Sequence, residues 1–404
     1  MIENRDIVIV GLQPWDTEIG SNCKDIAMAF AQKNRVLYVN YPLDRGTLWK
    51  NRKDPKVALR RDVISGKKDG LVEIQPGFWQ LYPDEILESI NALPDGLLFD
   101  MANRVNGKRY ARSIGKAIQR LGFSNFILFN DNDLFKSFYL KDFLRPALSI
   151  FYFRDFLLGV DYWKKHGNRL EPLLIAKSDI CCTNSLHFET YCRKYNPNSF
   201  YVGQGCDLSL FLRSDSIPVP ADMQSYRKPV IGYVGALQSL RLDLDVIRHI
   251  AVSRPGWQVV LVGPEDRQFA ASDLHSVPNI HFLGSRPPHT LPEYIHAFDV
   301  CLNPQLINEV TVGNYPRKVD EYLAMGKPVV ATRTAFMEAI FNAYTYLGVT
   351  ADEYVALIEK ALAEDAPALQ AARKAFAATH TWEANVEEIS RHIRTFETDN
   401  RRSS

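Results

Sequence analysis

Between Asn308 and Thr332 the chain reads N-E-V-T-V-G-N-Y-P-R-K-V-D-E-Y-L-A-M-G-K-P-V-V-A-T, and this stretch limits the possible folds more than any other. Its pattern is a loop, a helix begun by Pro316 at its first turn, a stop at Gly326 and a buried strand Pro328–Ala331. Proline at the start and glycine just past the end is the asymmetry expected of a helix. Val319, Tyr322 and Leu323 give that helix an apolar face, while Arg317, Lys318, Asp320 and Glu321 gather at its beginning. A helix N-terminus attracts anions through its backbone N–H groups, and Lys318 in the same turn adds a full charge. Glu321, one turn on, is placed to accept hydrogen bonds from a ribose. The stretch therefore reads as the phosphate-and-sugar half of a nucleotide pocket.

The rest of the chain reads as the scaffold such a pocket needs. At 404 residues it exceeds what one hydrophobic core usually serves, so two domains are expected. A net charge of +1 argues against nucleic acid as a partner. Asp6–Gly11 is apolar on both faces from Ile7 to Val10, as in strands buried in a parallel sheet. A loop from Gln13 to Asn22, a helix to about Gln32 and the strand Arg35–Asn40 follow, a Rossmann-like opening without G-x-G-x-x-G. Ser21 or Asn22 fits equally as a helix cap or as a ligand contact. Later strands are Asn125–Asn130, Ala147–Phe153, Pro229–Gly235, Trp257–Pro264, Ile280–Pro287, Asp299–Pro304 and Tyr344–Val349. Gly235 lets the backbone approach a ligand, and Ala236 and Leu237 are expected to offer N–H groups to a diphosphate. The polar segment Arg213–Lys228 is the expected linker.

Other features bear on partners and chemistry. Residues 45–68 carry nine basic residues against two acids, and Arg104, Lys108, Arg109, Arg112, Lys116 and Arg120 line one side of a helix. Both surfaces suit an anionic membrane or a diphosphate lipid, and equally a plain solvated face. Asp131-Asn132-Asp133 after a strand is either a metal motif or the cap of a helix Leu134–Phe143. Six cysteines without C-x-x-C spacing read as buried thiols of a reducing compartment. No run of about eighteen apolar residues occurs, and Met1 leads almost directly into a strand, so neither a membrane span nor a signal peptide is expected. The expected location is the cytoplasm. His166 and His187 fall outside the strand-end loops, which leaves Asp16, Glu18, Asp131, Asp133 and Asp155 as candidates for a general base.

The P-R-K-V-D-E-Y-L-A-M-G-K-P-V-V-A-T segment resembles the donor-binding helix of GT-B glycosyltransferases of group 1. E-P-L-L-I-A-K-S-D-I-C-C-T-N-S at Glu171–Ser185 and Y-V-G-Q-G-C-D at Tyr201–Asp207 are similar to segments of their N-terminal domains. The resemblance implies an α/β GT-B fold, with two Rossmann-like domains facing across a cleft. Residues 1–212 would form the acceptor-side domain, joined by a returning helix 383–400, and 213–382 the donor domain. It implies transfer of a hexosyl or glycuronosyl unit from a UDP- or GDP-sugar to a glycan or lipid-linked acceptor in cell-surface polysaccharide biosynthesis. Donor contacts would come from Gly235, Ala236, Arg241, Arg286, Tyr315, Pro316, Arg317, Lys318 and Glu321, and acceptor contacts from Gly20, Ser21 and Asn22. The retaining branch carries a further glutamate where this chain has Gly313. The pairing of Asp155 with P-R-K-V-D-E is similar to the inverting, membrane-associated xanthan glucuronosyltransferase, so Asp155 would be the base of an inverting transfer. No metal and no cofactor are implied, and peripheral contact with the inner face of the plasma membrane is. A nucleotide-sugar epimerase of the same architecture and a non-catalytic sugar-binding subunit are the competing expectations.

Overall fold

The computed structural model describes residues 1–17, 21–212 and 217–403, without the side chains of 402 and 403. The chain forms two compact units, Met1–Gly203 with Trp382–Ser404, and Gln204–Thr381.

The first unit is built on eight strands: β1 Asp6–Gly11, β2 Arg35–Val39, β3 Leu71–Gln75, β4 Phe78–Leu81, β5 Ile127–Asp131, β6 Leu148–Phe153, β7 Ile180–Thr183 and β8 Ser199–Tyr201. Their order is β3-β4-β2-β1-β5-β6-β7-β8, parallel except for the edge pair β3 and β4. All six residues of β1 are buried: the apolar run Ile7–Val10 requires it, and Asp6 is paired with Arg35 at 2.7–2.8 Å. Ile7 and Ile9 pack on one face with Ile26, Phe30, Val386, Ile389 and Ile393. Val8 and Val10 pack on the other with Tyr110 and Ile114 of the long helix Leu97–Leu121. The C-terminal helix Trp382–Ser403 thus supplies part of the first unit's core. Asn385 Nδ2 fixes its start by donating to the carbonyls of Val202 at 2.8 Å and Gly203 at 3.0 Å.

The second unit holds β9 Val230–Val234, β10 Gln258–Val262, β11 Ile280–Gly284, β12 Val300–Asn303, β13 Val329–Thr332 and β14 Tyr346–Gly348, all parallel in the order β11-β10-β9-β12-β13-β14. In each sheet the first strand of the unit lies in the middle, and the chain leaves it to one side and returns on the other. Ligands of open α/β sheets bind at the carboxyl ends of strands at such reversals. Residues 204–212, read from the sequence as the close of the first domain, lie with the second unit. The Cys206 N–H donates to the His380 carbonyl at 3.0 Å.

Two local expectations change. Residues 134–139 form turns, and only Leu140–Leu144 is helical, because the Asp133 carboxylate gathers the Phe135 and Lys136 N–H groups and the Ser137 hydroxyl into a tight loop. The basic side of helix Leu97–Leu121 is largely neutralised. Arg109, Arg112, Lys116 and Arg120 pair with Glu88, Glu85, Asp84 and Asp69 at 2.6–2.9 Å. All six cysteines are buried and free, and none of the described helices is long and apolar enough to cross a membrane.

Candidate active site

In the second unit the site is organised by the helix Arg317–Ala324, with Pro316 at its N-cap. Gly326, at φ +76°, ends it with a paired closure: its N–H donates to Leu323 O at 2.8 Å, and the Lys327 N–H to Tyr322 O at 3.0 Å. A left-handed residue there suits glycine. Tyr322 sets the helix against the sheet. Its fully buried hydroxyl accepts the Val234 N–H at 2.8 Å and donates to the Val234 carbonyl at 3.3 Å. One turn earlier, Lys318 is therefore laid beside the loop that follows β9. Its Nζ sits 4.8 Å from the Tyr233 ring centre, and its Cε would lie 3.1 Å from a Cβ at Gly235.

That loop is tightly drawn. Gly235, at φ +142°, donates its N–H to Val262 O at 2.9 Å. A Cβ on Gly263 would meet the Gly235 carbonyl oxygen at 1.9 Å, so two backbones touch where no side chain fits. The Leu237 N–H, expected to face a diphosphate, instead donates to Pro264 O at 2.8 Å. This corrects the sequence reading: of residues 235–237, Ala236 alone keeps an N–H that the described fold does not use.

Behind the helix, Asp320 is fully buried, 2.7 Å from His380 Nδ1, and the Tyr315 hydroxyl lies 3.1 Å from the same nitrogen. Burial raises the Asp320 carboxyl, and His380 works against the rise. The trio anchors the Tyr315–Pro316 turn from which the helix starts. Arg317 lies beside the buried Cys206 thiol, which burial pushes up to about 12. Glu321 is pushed up to about 6 by burial, with Arg317 and Lys318 pulling it down. Arg241 is exposed, and its carbonyl accepts the Leu306 N–H at 2.8 Å. Arg286 donates to Asp222 at 2.8 Å and to the Tyr294 hydroxyl at 2.7 Å, so its guanidinium ties its loop to the turn Ala221–Met223 and the helix Leu291–Ala297.

In the first unit Asp155 follows β6 and is about half exposed, at 49%. It shares Arg154 with Asp131, a fully buried residue at the end of β5. Arg154 Nε lies 2.8 Å from Asp131 Oδ1 and Nη2 3.2 Å from Oδ2, while Nη1 meets the Asp155 carboxylate. Two carboxylates hold the Arg154 charge firmly, against the cost of its burial. Asn132 Nδ2 donates to the Asp155 carbonyl at 3.0 Å. Among the described residues no backbone N–H donates to the Asp155 carboxylate, whose bond is from Arg154, so it is not spent on a cap. Asp131 and Asp133 do not form a shared cation site, since one is neutralised by Arg154 and the other is bonded to Ser137 and two backbone N–H groups. Among the described residues no group of three metal-ligating side chains gathers. Ser21 caps helix Asn22–Ala31, accepting the Lys24 N–H at 3.3 Å, and Asn22 begins it. Gly20 and Glu18 lie outside the described residues. Sequence reasoning missed Tyr322 as the clamp and Arg154 as the partner of two acids, since both roles depend on contacts between distant strands and helices.

Residues 228–364 match the glycosyl transferases group 1 family. Along nearly its whole length the chain superposes on sucrose-phosphate synthase from Thermosynechococcus elongatus, with TM-score 0.64 at 16% identity, covering 98% of this chain and 100% of that one. Anabaena Alr3699/HepE in complex with UDP and glucose gives 0.62 at 15%, covering 96% and 100%. The fold is GT-B. A likeness in sequence is found to TuaH of Bacillus subtilis (strain 168), which is named as a teichuronic acid biosynthesis glycosyltransferase. The two are 26% identical over 197 residues, 47% of this chain and 49% of that protein. The match thus spans about half the length of that relative.

Proposed function

We propose that the protein is a glycosyltransferase that moves a sugar from a nucleoside diphosphate sugar to a glycan or lipid-linked acceptor in cell-surface polysaccharide biosynthesis. The observation that carries this reading is the placement of Lys318 against the Gly235 loop by the Tyr322 to Val234 clamp. The group 1 match over 228–364, the TuaH likeness and the UDP bound in the HepE structure support it.

In the proposed step Asp155 takes the proton of the acceptor hydroxyl, and that oxygen bonds to the anomeric carbon. The bond from that carbon to the diphosphate oxygen breaks, with inversion. The nucleoside diphosphate leaves with its new charge held by Lys318 and the helix N-terminus, the preorganised compensation such a step needs. The Ala236 N–H and Glu321 would hold the diphosphate and the ribose. Because Asp131 and Asp133 are committed to the fold, the reading needs no divalent cation. Six cations of residues 45–68 (Lys50, Arg52, Lys53, Lys56, Arg61 and Lys67) have no acidic partner among the described residues, and Trp49 beside them is 77% exposed. They support peripheral docking on an anionic membrane at the cytoplasmic face.

UDP or GDP release from a panel of nucleotide sugars tests the function. Release that depends on a glycan acceptor is expected; interconversion of the sugar without release would mark an epimerase, and binding alone a non-catalytic subunit. Lys318→Ala should weaken nucleoside diphosphate binding by about 1.5–3 kcal/mol, the range for a charged hydrogen bond. Unchanged affinity in titration calorimetry of a folded variant would remove Lys318 from the donor site.

A further inference from the structure

A second feature of the first unit does not include Asp155. Between the segment that follows β2, the segment that follows β5 and the helix Leu97–Leu121 is a cavity of about 300 Å³, at the small end of the range for ligand pockets. Tyr41 and Asp44 come from the first segment, Lys136 from the second and Asn103 from the helix, so the cavity opens at the carboxyl ends of the parallel strands. Most of its polar wall is already paired. Lys136 Nζ donates to the Pro42 carbonyl at 3.0 Å, lies 3.5 Å from Asp44 and sits 3.8 Å from the Tyr41 ring centre. Asp44 also accepts from Ser89 Oγ at 2.7 Å.

Two lining groups are not paired. Asn103 is 1% exposed, and its Nδ2 is buried without a hydrogen-bond partner. Asn91 Oδ1, on the same cavity, is buried without one as well, although its Nδ2 donates to the Tyr162 carbonyl at 3.3 Å. Leaving a buried polar group unmatched is costly in a folded protein. The two amides present one unmatched donor and one unmatched acceptor to one small space, and a hydroxyl satisfies both at once. Tyr41 and the half-exposed Tyr162 add flat apolar faces.

From this geometry we infer that the cavity receives a single sugar ring, its hydroxyls set between Asn103 Nδ2 and Asn91 Oδ1 and its apolar face toward the tyrosines. The inference rests on the glycosyltransferase reading for its role, which is to hold a glycosyl unit of the acceptor.

The test is ligand-observed saturation-transfer NMR on the full chain, with methyl glycosides of neutral hexoses and of hexuronic acids, in the presence of UDP. Transfer to at least one glycoside is expected, weakened about tenfold or more in Asn103→Leu and in Tyr162→Ala. Asn103→Leu gives up no intramolecular hydrogen bond, so its melting temperature should not fall. Tyr162→Ala alters an exposed side chain and keeps the test open if Asn103→Leu fails to fold. Absence of glycoside binding to the wild type, or equal binding by the variants, overturns the inference. UDP binding, read in the same samples, reports separately on Lys318 and its loop. A chain that takes UDP and no glycoside loses this pocket alone, and one that takes a glycoside and no UDP loses the donor reading alone.

Discussion

At the scale of single residues, the arrangement around Asp155 separates catalysis from structure. Its carboxylate is half exposed and makes no capping bond, and Arg154, its partner, is held independently by Asp131. Asp155→Asn should therefore leave the fold and donor affinity in place. Turnover should fall by about 10²–10⁴-fold, the usual contribution of general acid–base catalysis. Single-turnover kinetics and product anomer analysis by NMR coupling check this, and normal turnover or a retained configuration would remove Asp155 from the chemistry. Glu171 offers a pH signature. It is fully buried, accepts the Tyr191 hydroxyl at 2.9 Å, and burial lifts its carboxyl from 4.5 to about 7. A carboxyl raised in the folded state binds more protons there than in the unfolded chain, so stability falls as pH rises through that window and stays lower above it. Glu171→Gln should flatten the fall in denaturant unfolding measured between pH 4.5 and 7.

At the scale of elements, the Tyr322 clamp is the joint between sheet and helix. Tyr322→Phe leaves the buried Val234 N–H without its acceptor, a loss of about 1–3 kcal/mol. It should also weaken nucleoside diphosphate binding, because Lys318 rides on the same helix; a variant with unchanged melting and binding would make the clamp incidental. The helix itself, its Gly326 stop and strand β13 were legible in P-R-K-V-D-E-Y-L-A-M-G-K-P-V-V-A-T, since local signals fix them. The hairpin of β3 and β4 carries an equally local signal, V-E-I-Q-P-G-F-W-Q-L, which went unread. What was not legible was charge. Arg109, Arg112, Lys116 and Arg120 look unopposed along their helix, and their acids arrive from residues 69–88, which spacing cannot reveal. That difference sets a test of membrane docking. Replacing Lys50, Arg52 and Lys53 by glutamate should abolish sedimentation with anionic liposomes at 0.1 M salt, where screening acts over about 10 Å. Replacing Lys108 and Lys116 by glutamine should not, and equal loss from both sets would point to nonspecific adhesion.

At the scale of the whole molecule, both units repeat one plan, a middle first strand with the chain reversing around it. The candidate residues, Asp155 in one and Gly235 with Lys318 in the other, come from strand ends or the segments that follow them. The plan was readable from strands with continuous apolar runs such as Ile7–Val10, but the membership of residues 204–212 was not, because the bond from Cys206 to His380 joins distant segments. The closing helix has a further consequence. Val386, Ile389 and Ile393 are fully buried against Ile7, Ile9, Ile26 and Phe30, yet the whole of the other unit, Gln204–Thr381, is synthesised in between. On the ribosome, the first unit must wait with an oily flank uncovered while the second unit is made and emerges. During translation the second unit, continuous in sequence, is free to reach its native form first, and the N-terminal half depends on a stretch that is made only after that unit.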